Sequence, residues 1–315
     1  MKLSRLVTEY IAFKRSMGMD FQSSARILKS FCRAMGDIEV RQVQPSTVQA
    51  FLAGKGVITS FWHVKFQVLS KFYRFLIIRN YIESSPLPKT IPKRPEPMTP
   101  YIYTLKELGR LIAATDRLQS PLSPLRADTF RTLILTLYGT GLRIGEALSL
   151  ALIDVNLAES LIVVRNGKFF KTRLVPIGPR LRDTLQTYGQ RRRGLPRPKG
   201  EDSAFFVTRS GNALTYDHAR KVFPILRELA GIRREKGARY QPRVHDIRHT
   251  MAVHRLVAWY RQGANVQRLL PQLSTYLGHI DITATQRYLS MTPELQKEAS
   301  CRFEHYALQE VSNHE

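Results

Sequence analysis

The chain has 315 residues, of which 43% are hydrophobic and 23% charged, and its 49 Lys and Arg against 25 Asp and Glu give a formal net charge of +24. This composition predicts a globular protein with room for two domains, and the lack of a secretory segment or of an apolar run of about 18 residues argues against secreted and membrane-spanning classes. The positive surplus favours a polyanionic partner, nucleic acid foremost, although charge alone also fits a merely basic protein.

Apolar periodicity predicts helices, and no strands, over the first eighty-odd residues. The first helix presents one apolar face and stops before Gly18; the face consists of Leu3, Leu6, Val7, Tyr10 and Ile11. The other three are predicted near Ser24–Met35, from Pro45 to about Gly54, and from Thr59 to Asn80.

A proline-rich basic segment follows, and it is predicted to separate two domains. Six prolines fall between residues 86 and 100, at a density that prevents helix and sheet and gives an extended, semi-rigid spacer. The predicted boundaries are a first domain over 1–85, a linker over 86–103, a second domain over 104–292 and a tail over 293–315.

The second domain is predicted to be mainly helical with one small sheet, so the fold class is mainly α with a small β-sheet (α+β). Thr104 and Glu107 form a capping box that opens it. The predicted elements are helices at about 105–114, 126–138 and 143–150, strands at Leu161–Arg165 and Thr172–Ile177, a helix at 179–189, a strand at Ala204–Thr208, and helices from Thr215 onward. Residues 191–199 are predicted to form an exposed basic loop.

Two segments of this domain place a cation where a phosphate could bind. Arg143 follows Gly139-Thr-Gly141 and is predicted to begin a helix, where a guanidinium can hold two phosphate oxygens. Lys168 lies near the tip of the predicted hairpin. An ordinary surface arginine and a solvated lysine fit these patterns equally well.

The string His245-Asp-Ile-Arg-His249 is the most informative local pattern. It places His245, Arg248 and His249 on one face of a predicted helix. Two histidines four residues apart also resemble half of a zinc site, but the cation of Arg248 between them opposes metal binding. A hydrogen-bonded core histidine is the third interpretation.

Tyr288 follows a predicted helix end at Gly278 and a histidine at position 279. A helix from about Ile282 is predicted to present its phenol. Such a tyrosine is usually a packing residue, but the neighbouring histidine and arginine make this one a candidate reactive group.

Taken in order, these motifs resemble those of the tyrosine recombinases, the integrase family that includes the Xer, Cre and phage-lambda types. The resemblance covers most of residues 104–290 and is carried by Arg143, Lys168, His245-x-x-Arg248, Gly278-His279 and Tyr288. It implies an N-terminal four-helix core-binding domain and an integrase-type catalytic domain, in an Xer-like or mobile-element enzyme. The stretch from Arg248 to Gly278 is longer than in compact Xer-type members.

The resemblance implies that Tyr288 attacks a DNA phosphodiester and forms a 3′-phosphotyrosyl bond. Arg143 and Arg248 would hold the phosphate oxygens, and His279 would add a donor. A phenol with an ordinary pKa of about 10 needs a proton acceptor, for which His245 is the candidate. Lys168 would protonate the leaving 5′-oxygen. Because one ester replaces another, no metal, ATP or other cofactor is expected.

Further residues are expected to support the site or to bind double-stranded DNA. Glu146 would orient the arginine site, and Asp246 would hold His245 in one tautomer. Five basic residues are expected to contact DNA: Lys171, Arg173, Lys65, Lys71 and Arg74. A helix in the tail, over about 293–308, would dock on a neighbouring protomer, by resemblance, or pack on its own domain.

The resemblance implies a homotetramer on two DNA sites, with the need for accessory proteins open. Cys32 and Cys301 form no metal or redox motif, and with no secretory segment or apolar span the sequence predicts a cytoplasmic, nucleoid-associated protein without membrane contact. Three rival functions also remain open: a type IB topoisomerase, a non-catalytic DNA-binding regulator of the same fold, and a metal-dependent nuclease. Integration, excision, dimer resolution and transposition are all compatible with the sequence.

Overall fold

The chain folds into two compact units, Met1–Met98 and Thr99–Glu315, in a computed structural model. The structure describes residues 1–54, 56–96, 98–118, 126–165, 172–195, 200–235, 238, 240–290 and 293–312. The division between the units falls within the proline-rich segment. Among the described residues, no helix combines the length and apolar character that crossing a bilayer requires.

The first unit contains the four predicted helices. They are α1 (Leu3–Ser16), α2 (Gln22–Met35), α3 (Pro45–Ala53) and α4 (Ser60–Ile78). Gly36 and Gly54 follow α2 and α3 with φ angles of 79° and 63°, a conformation that a side chain would disfavour, so these helices end where the sequence predicted. Thr59 caps α4 by accepting from the backbone N–H of Phe61.

The core of the first unit is aromatic and aliphatic. All five residues of the predicted α1 face are at most 6% exposed, which confirms the periodicity. Their neighbours include Phe31, Phe72 and Tyr73, each at most 1% exposed. Burial on this scale stabilises the unit by about 1.5–3 kcal/mol for each large side chain.

Lys65, predicted to contact DNA, has hydrogen-bond partners inside the first unit. Its Nζ donates to the carbonyl oxygen of Phe51 at 2.6 Å and lies 4.7 Å from the centre of the Phe51 ring. The ammonium therefore satisfies the C-terminal end of α3, and burial lowers its pKa. Lys71 and Arg74, by contrast, are exposed on α4.

The second unit is mainly helical around one small sheet, as predicted. Its elements are α5 (Leu105–Ala114), α6 (Ala127–Thr140), α7 (Ile144–Leu148), β1 (Val155–Asn156), β2 (Leu161–Val164), β3 (Arg173–Pro176), α8 (Pro179–Arg193), α9 (Tyr216–Leu229), α10 (Asp246–Arg261), α11 (Val266–Leu277), α12 (Thr283–Gln286) and α13 (Pro293–Ser312). The capping box of Thr104 and Glu107 is present at the start of α5.

The sheet is antiparallel in the order β1-β2-β3, with Ile162 opposite Val175. The tip between β2 and β3, which carries Lys168 and Lys171, lies outside the described residues. The predicted strand at 204–208 is wrong: Ala204 and Val207 make isolated bridges only. Phe205, Phe206 and Val207 are all at most 2% exposed, so this run is fully buried rather than alternating between two faces.

The predicted exposed loop over 191–199 is wrong at its start, because α8 continues to Arg193 and Arg192 is buried; residues 196–199 lie outside the described residues. Arg192 is 3% exposed, and its guanidinium donates to the carbonyl oxygen of Ala204 at 2.7 and 2.9 Å and to Ser203 Oγ at 2.7 Å. A long-range carbonyl acceptor of this kind leaves no local pattern in the sequence.

The final helix, α13, begins against its own unit. Leu295 is fully buried, in one apolar cluster with residues of α10 and α11. Arg261 Nε donates to Glu298 Oε1 at 2.9 Å and so links α10 to α13. The first turns therefore pack on the same chain.

Candidate active site

Arg143 lies in the tight connection between α6 and α7. Gly141 ends α6 in the left-handed conformation, with φ 63° and ψ 19°, and Arg143 then precedes the first turn of α7. The carboxylate of Glu146 accepts hydrogen bonds from the backbone N–H of Arg143 at 2.9 Å and from Nη1 of Arg143 at 2.7 Å. Arg143 Nη2 donates to the carbonyl oxygen of Gly278 at 3.2 Å, which joins this connection to the turn that carries His279.

Arg173, predicted to contact phosphate, is committed to the protein. It donates to both carboxylate oxygens of Glu146, at 3.1 and 2.8 Å, and to the carbonyl oxygen of Tyr276 at 3.2 Å. Its side chain is only 14% exposed. Burial alone would raise the pKa of Glu146, but the bonds from Arg173 and Arg143 lower it to about 2. Glu146 thus remains anionic and orients two guanidinium groups.

Arg248 is the most deeply buried cation among the described residues of the site. It is 2% exposed, and it donates through Nη1 to the carbonyl oxygen of Gly141 at 2.6 Å and through Nη2 to that of Leu277 at 2.7 Å. One side chain of α10 thereby bridges the C-terminal ends of α6 and α11. Burial, with a contribution from the charge of Arg143, lowers the pKa of Arg248 to about 10, so it stays charged at neutral pH.

His279 follows Gly278, which ends α11 in the left-handed conformation as predicted. Its Nδ1 lies 2.7 Å from Oγ1 of Thr285, a fully buried residue of α12. This contact fixes the plane of the imidazole. Burial, together with the charges of Arg248 and Arg143, lowers the pKa of His279 to about 4.

Tyr288 contacts His279 and His249 of the same chain. The sequence predicted a helix from about Ile282, whereas α12 ends at Gln286 and Tyr288 sits in a 3₁₀ turn over Arg287–Ser290. The ring is 2% exposed and stacks on His279 with a centroid distance of 6.2 Å. Burial raises the pKa of Tyr288, and the charges of Arg248 and Arg143 offset this only in part.

The histidine beside the phenol is His249, not His245. His249 Nδ1 lies 3.2 Å from the phenol oxygen of Tyr288. His245 precedes α10 and contacts His249 edge to face, with ring centroids 4.9 Å apart. The geometry therefore does not support His245 as the direct proton acceptor. His249 stood on the predicted face, four residues after His245, but the sequence assigned it no role.

Asp246, predicted to hold His245 in one tautomer, is engaged elsewhere. Its carboxylate accepts the backbone N–H of Arg243 at 2.9 Å and Nη2 of Arg243 at 3.0 Å. The residue is 1% exposed, so this pairing anchors the start of α10. Among the described residues, no three His, Cys, Asp or Glu side chains are grouped as a metal site would require.

Gly278→Ala is expected to destabilise the second unit and to slow DNA cleavage. Gly278 has φ 68°, where a side chain costs about 1–2 kcal/mol. An added Cβ would also lie 2.8 Å from Nη1 of Arg173, which Glu146 holds in place. Gly231→Ala is the matched control, with φ 63° and no atom within 4 Å of its Cβ position. Equal losses of urea midpoint and cleavage in the two variants would contradict the role of Arg173.

The buried imidazoles predict a pH-dependent stability. Burial lowers the pKa of His249 and of His279 from 6.5 to about 4. The unfolded chain therefore binds more protons than the folded chain between these values, so stability falls as the pH drops from 6.5 towards 4 and is regained above 6.5. Urea midpoints at pH 7, 6 and 5 test this. His249→Asn should give a shallower dependence than the wild type, and an unchanged slope would contradict the assignment.

Comparison with known proteins identifies the family. The model of the phage integrase family matches residues 103–294. An integrase/recombinase from Sinorhizobium fredii, y4rB, is 32% identical over 95% of this chain and 96% of its own length. Tyrosine recombinase XerD of Lacticaseibacillus casei is 34% identical over 71% of this chain and 70% of its own length.

Solved structures show the same fold. The Tn1549 transposon integrase in complex with a circular intermediate DNA matches with a TM-score of 0.70 at 17% identity, over 97% of this chain and 99% of that one. A lambda integrase dimer bound to a core site matches with a TM-score of 0.65 at 16% identity, over 93% and 97%. With the family match and the sequence relatives, the conclusion is that this chain belongs to the phage integrase family, the tyrosine recombinases.

Proposed function

We propose that the protein is a site-specific recombinase that cuts and rejoins DNA through a covalent bond to Tyr288. The observation that carries the proposal is the placement of one buried phenol against two imidazoles, within the electrostatic reach of the guanidinium groups of Arg248 and Arg143. This combination is suited to attack on a phosphodiester, because preorganised cations stabilise the charge that builds on the phosphate oxygens.

In the proposed reaction, Arg143 and Arg248 hold the non-bridging oxygens of the scissile phosphate. The contacts of Arg143 with Glu146 and Gly278 preset its direction, which reduces the reorganisation needed when DNA binds. His279 adds a hydrogen-bond donor, with its ring held by Thr285. Tyr288 attacks the phosphorus and leaves a 3′-phosphotyrosyl bond and a free 5′-hydroxyl.

The reverse reaction reseals the strand without an external energy source, since one phosphoester replaces another. Lys168 is the proposed donor of the proton to the leaving 5′-oxygen, and it lies outside the described residues. No metal ion, ATP or other cofactor takes part in the proposed chemistry.

Double-stranded DNA is the proposed partner. The similar Tn1549 integrase structure is a complex with a circular intermediate DNA, the lambda integrase dimer is bound to a core site, and this chain carries a net charge of +24. Lys71 and Arg74, exposed on α4, are the proposed DNA contacts in the first unit, and Lys171 is a further one, outside the described residues. We place the enzyme at the nucleoid, as a tetramer on two DNA sites and as the integrase of a mobile element, with accessory proteins allowed.

The test uses duplexes tiled across the DNA that flanks the gene, each nicked close to a candidate cleavage point. The fragment released on cleavage diffuses away, so the covalent intermediate accumulates. We expect wild-type protein to attach in the presence of a chelator, and mass spectrometry of the adduct to map the nucleotide to Tyr288. If wild-type protein never attaches to any duplex, the proposed enzyme activity is refuted. If attachment requires an added divalent metal, a nuclease is favoured.

A second assay separates a recombinase from a type IB topoisomerase. Two duplexes of different length that carry the cleaved site are mixed with the protein. A recombinase yields strands of exchanged length, whereas a topoisomerase reseals each strand to its original partner. Products of parental length only, in reactions that do form the covalent intermediate, would assign the topoisomerase.

A further inference from the structure

The imidazole of His249 occupies the position next to the nucleophile. Its Nδ1 is 3.2 Å from the phenol oxygen of Tyr288, and their ring centroids are 5.6 Å apart. A proton acceptor must lie within hydrogen-bond reach of the proton it removes, and this contact meets that requirement. His249 stands one residue beyond Arg248 on α10, so the helix that holds the buried cation also fixes the imidazole.

His245 is less suited to this step. The ring of His245 packs edge to face against that of His249, with 4.9 Å between the ring centroids. His245 therefore contacts His249, and His249 in turn contacts the phenol oxygen. The hydrogen bonds of Asp246 go to Arg243, which leaves His245 without that carboxylate as an orienting partner. Among the described contacts, His279 meets Tyr288 through ring stacking, and its Nδ1 contacts Thr285.

His249 is neutral in the resting site. Burial, and then the neighbouring His245, lowers the pKa of His249 to about 4. At neutral pH the imidazole is therefore unprotonated and able to accept a proton. The titratable and charged groups that face it come from α10, from the residues before α10 and from the turns that carry Tyr288 and His279: His245, Asp246, Arg248, Arg243, Tyr288 and His279. A bound phosphodiester adds negative charge to this set and makes protonation of the imidazole easier.

We infer that His249 is a catalytic residue that takes the phenol proton of Tyr288 at Nδ1 as the bond from the phenol oxygen to phosphorus forms. The bond from phosphorus to the 5′-oxygen breaks, its electron pair stays on that oxygen, and Lys168 supplies the proton that completes the 5′-hydroxyl. In resealing, the 5′-hydroxyl returns its proton to Lys168 and the phenolate recovers its proton from His249. This inference rests on the proposed function, since it assigns one proton of the same reaction.

The test is single-turnover cleavage of the nicked duplex by His249→Asn. The asparagine amide can accept a hydrogen bond near the former Nδ1 but cannot take up the proton. We expect DNA affinity within about twofold of the wild type and a cleavage rate at pH 7 that is about 10²–10⁴-fold lower. Between pH 7 and 9 the variant rate should rise about tenfold per unit, because it depends on phenolate formed in advance, while the wild-type rate stays nearly level.

A substrate with sulfur in place of the scissile 5′-oxygen separates this proton from the leaving-group proton. A 5′-thiolate leaves without protonation, so the loss in His249→Asn should persist on this substrate, whereas a loss in Lys168→Ala should disappear. His245→Asn is the matched control and should keep the level pH profile of the wild type. His249→Gln is measured alongside and replaces His249→Asn if that variant does not bind DNA.

Three results would overturn the inference while leaving the proposed function intact. They are cleavage by the His249 variants within about threefold of the wild type, a rising pH profile in His245→Asn instead, and recovery of the His249 variants on the 5′-thiol substrate. Failure of the proposed function looks different, because wild-type protein then forms no covalent intermediate at all.

Discussion

Tyr288→Phe is expected to abolish covalent attachment to DNA and to leave DNA binding intact. The substitution removes the only atom of the side chain that can form the ester, so we expect cleavage to fall by at least about 10⁴-fold. The ring remains buried against His279, and the hydroxyl loses its hydrogen bonds with His249 and Arg248. A neutral hydrogen bond contributes about 0.5–1.5 kcal/mol and one to a charged group about 1.5–3 kcal/mol, and Arg248 keeps its two carbonyl acceptors, so the folded state should persist. Covalent capture on the nicked duplex and a mobility-shift titration measure the two effects.

Tyr138→Phe provides a matched control for this prediction. Tyr138 also places its hydroxyl on an imidazole, with 2.9 Å between the phenol oxygen and Nδ1 of His254. Its loss should cost a similar amount of stability and leave covalent attachment at the wild-type rate. If Tyr288→Phe protein still attaches to DNA, another residue is the nucleophile and the proposed site is wrong.

Arg248→Ala is expected to impair both folding stability and cleavage. The carbonyl oxygens of Gly141 and Leu277 would lose a charged donor each, at 2.6 and 2.7 Å, inside a buried site. Hydrogen bonds from charged groups contribute about 1.5–3 kcal/mol each, so we expect the free energy of unfolding to fall by about 3 kcal/mol or more. Loss of the phosphate-binding charge should also lower cleavage by about 10³-fold or more. Urea denaturation and single-turnover cleavage measure the two losses.

Two further variants separate the two roles of this arginine. Arg248→Lys retains the charge, but a single ammonium lacks the planar fork that reaches both helix ends, so stability should still fall. Arg143→Ala is the comparison for a less buried charge, since the Arg143 side chain is 30% exposed. It should lose cleavage with a smaller loss of stability. Equal urea midpoints for Arg143→Ala and Arg248→Ala would contradict the bridging role.

Local signals in the sequence predicted most of the helices and the family. Glycines at the ends of α2, α3 and α11 adopt positive φ angles there, and the capping box of Thr104 forms at the start of α5. These features depend on a few neighbouring residues, so a short stretch of sequence is sufficient to recognise them. The ordered motifs from Arg143 to Tyr288 lie on segments that the fold brings into contact, since Arg143 donates to Gly278 and Tyr288 stacks on His279, while Lys168 is outside the described residues.

The intramolecular partners of three basic side chains could not be predicted in the same way. Lys65, Arg173 and Arg192 all appeared to be surface charges, yet each is bound to a backbone carbonyl oxygen, and Arg173 also to Glu146. Those acceptors lie 12 to 103 residues away along the chain, and any residue type can supply a carbonyl. Which of two histidines on one helix face meets the phenol depends on the path of the turn after α12, which the sequence predicted as continuous helix.

The bridge that Arg248 makes between two helix ends has a consequence for sorting genes that descend from a common recombinase. A copy that has decayed into an inert remnant, yet still has to fold, remains under selection for an arginine at this point. Retention of that arginine is therefore poor evidence of a working enzyme. The hydroxyl of Tyr288 contributes little to the stability of the fold. Whether this tyrosine is retained is therefore better evidence for distinguishing genes of active enzymes from genes of inactive ones.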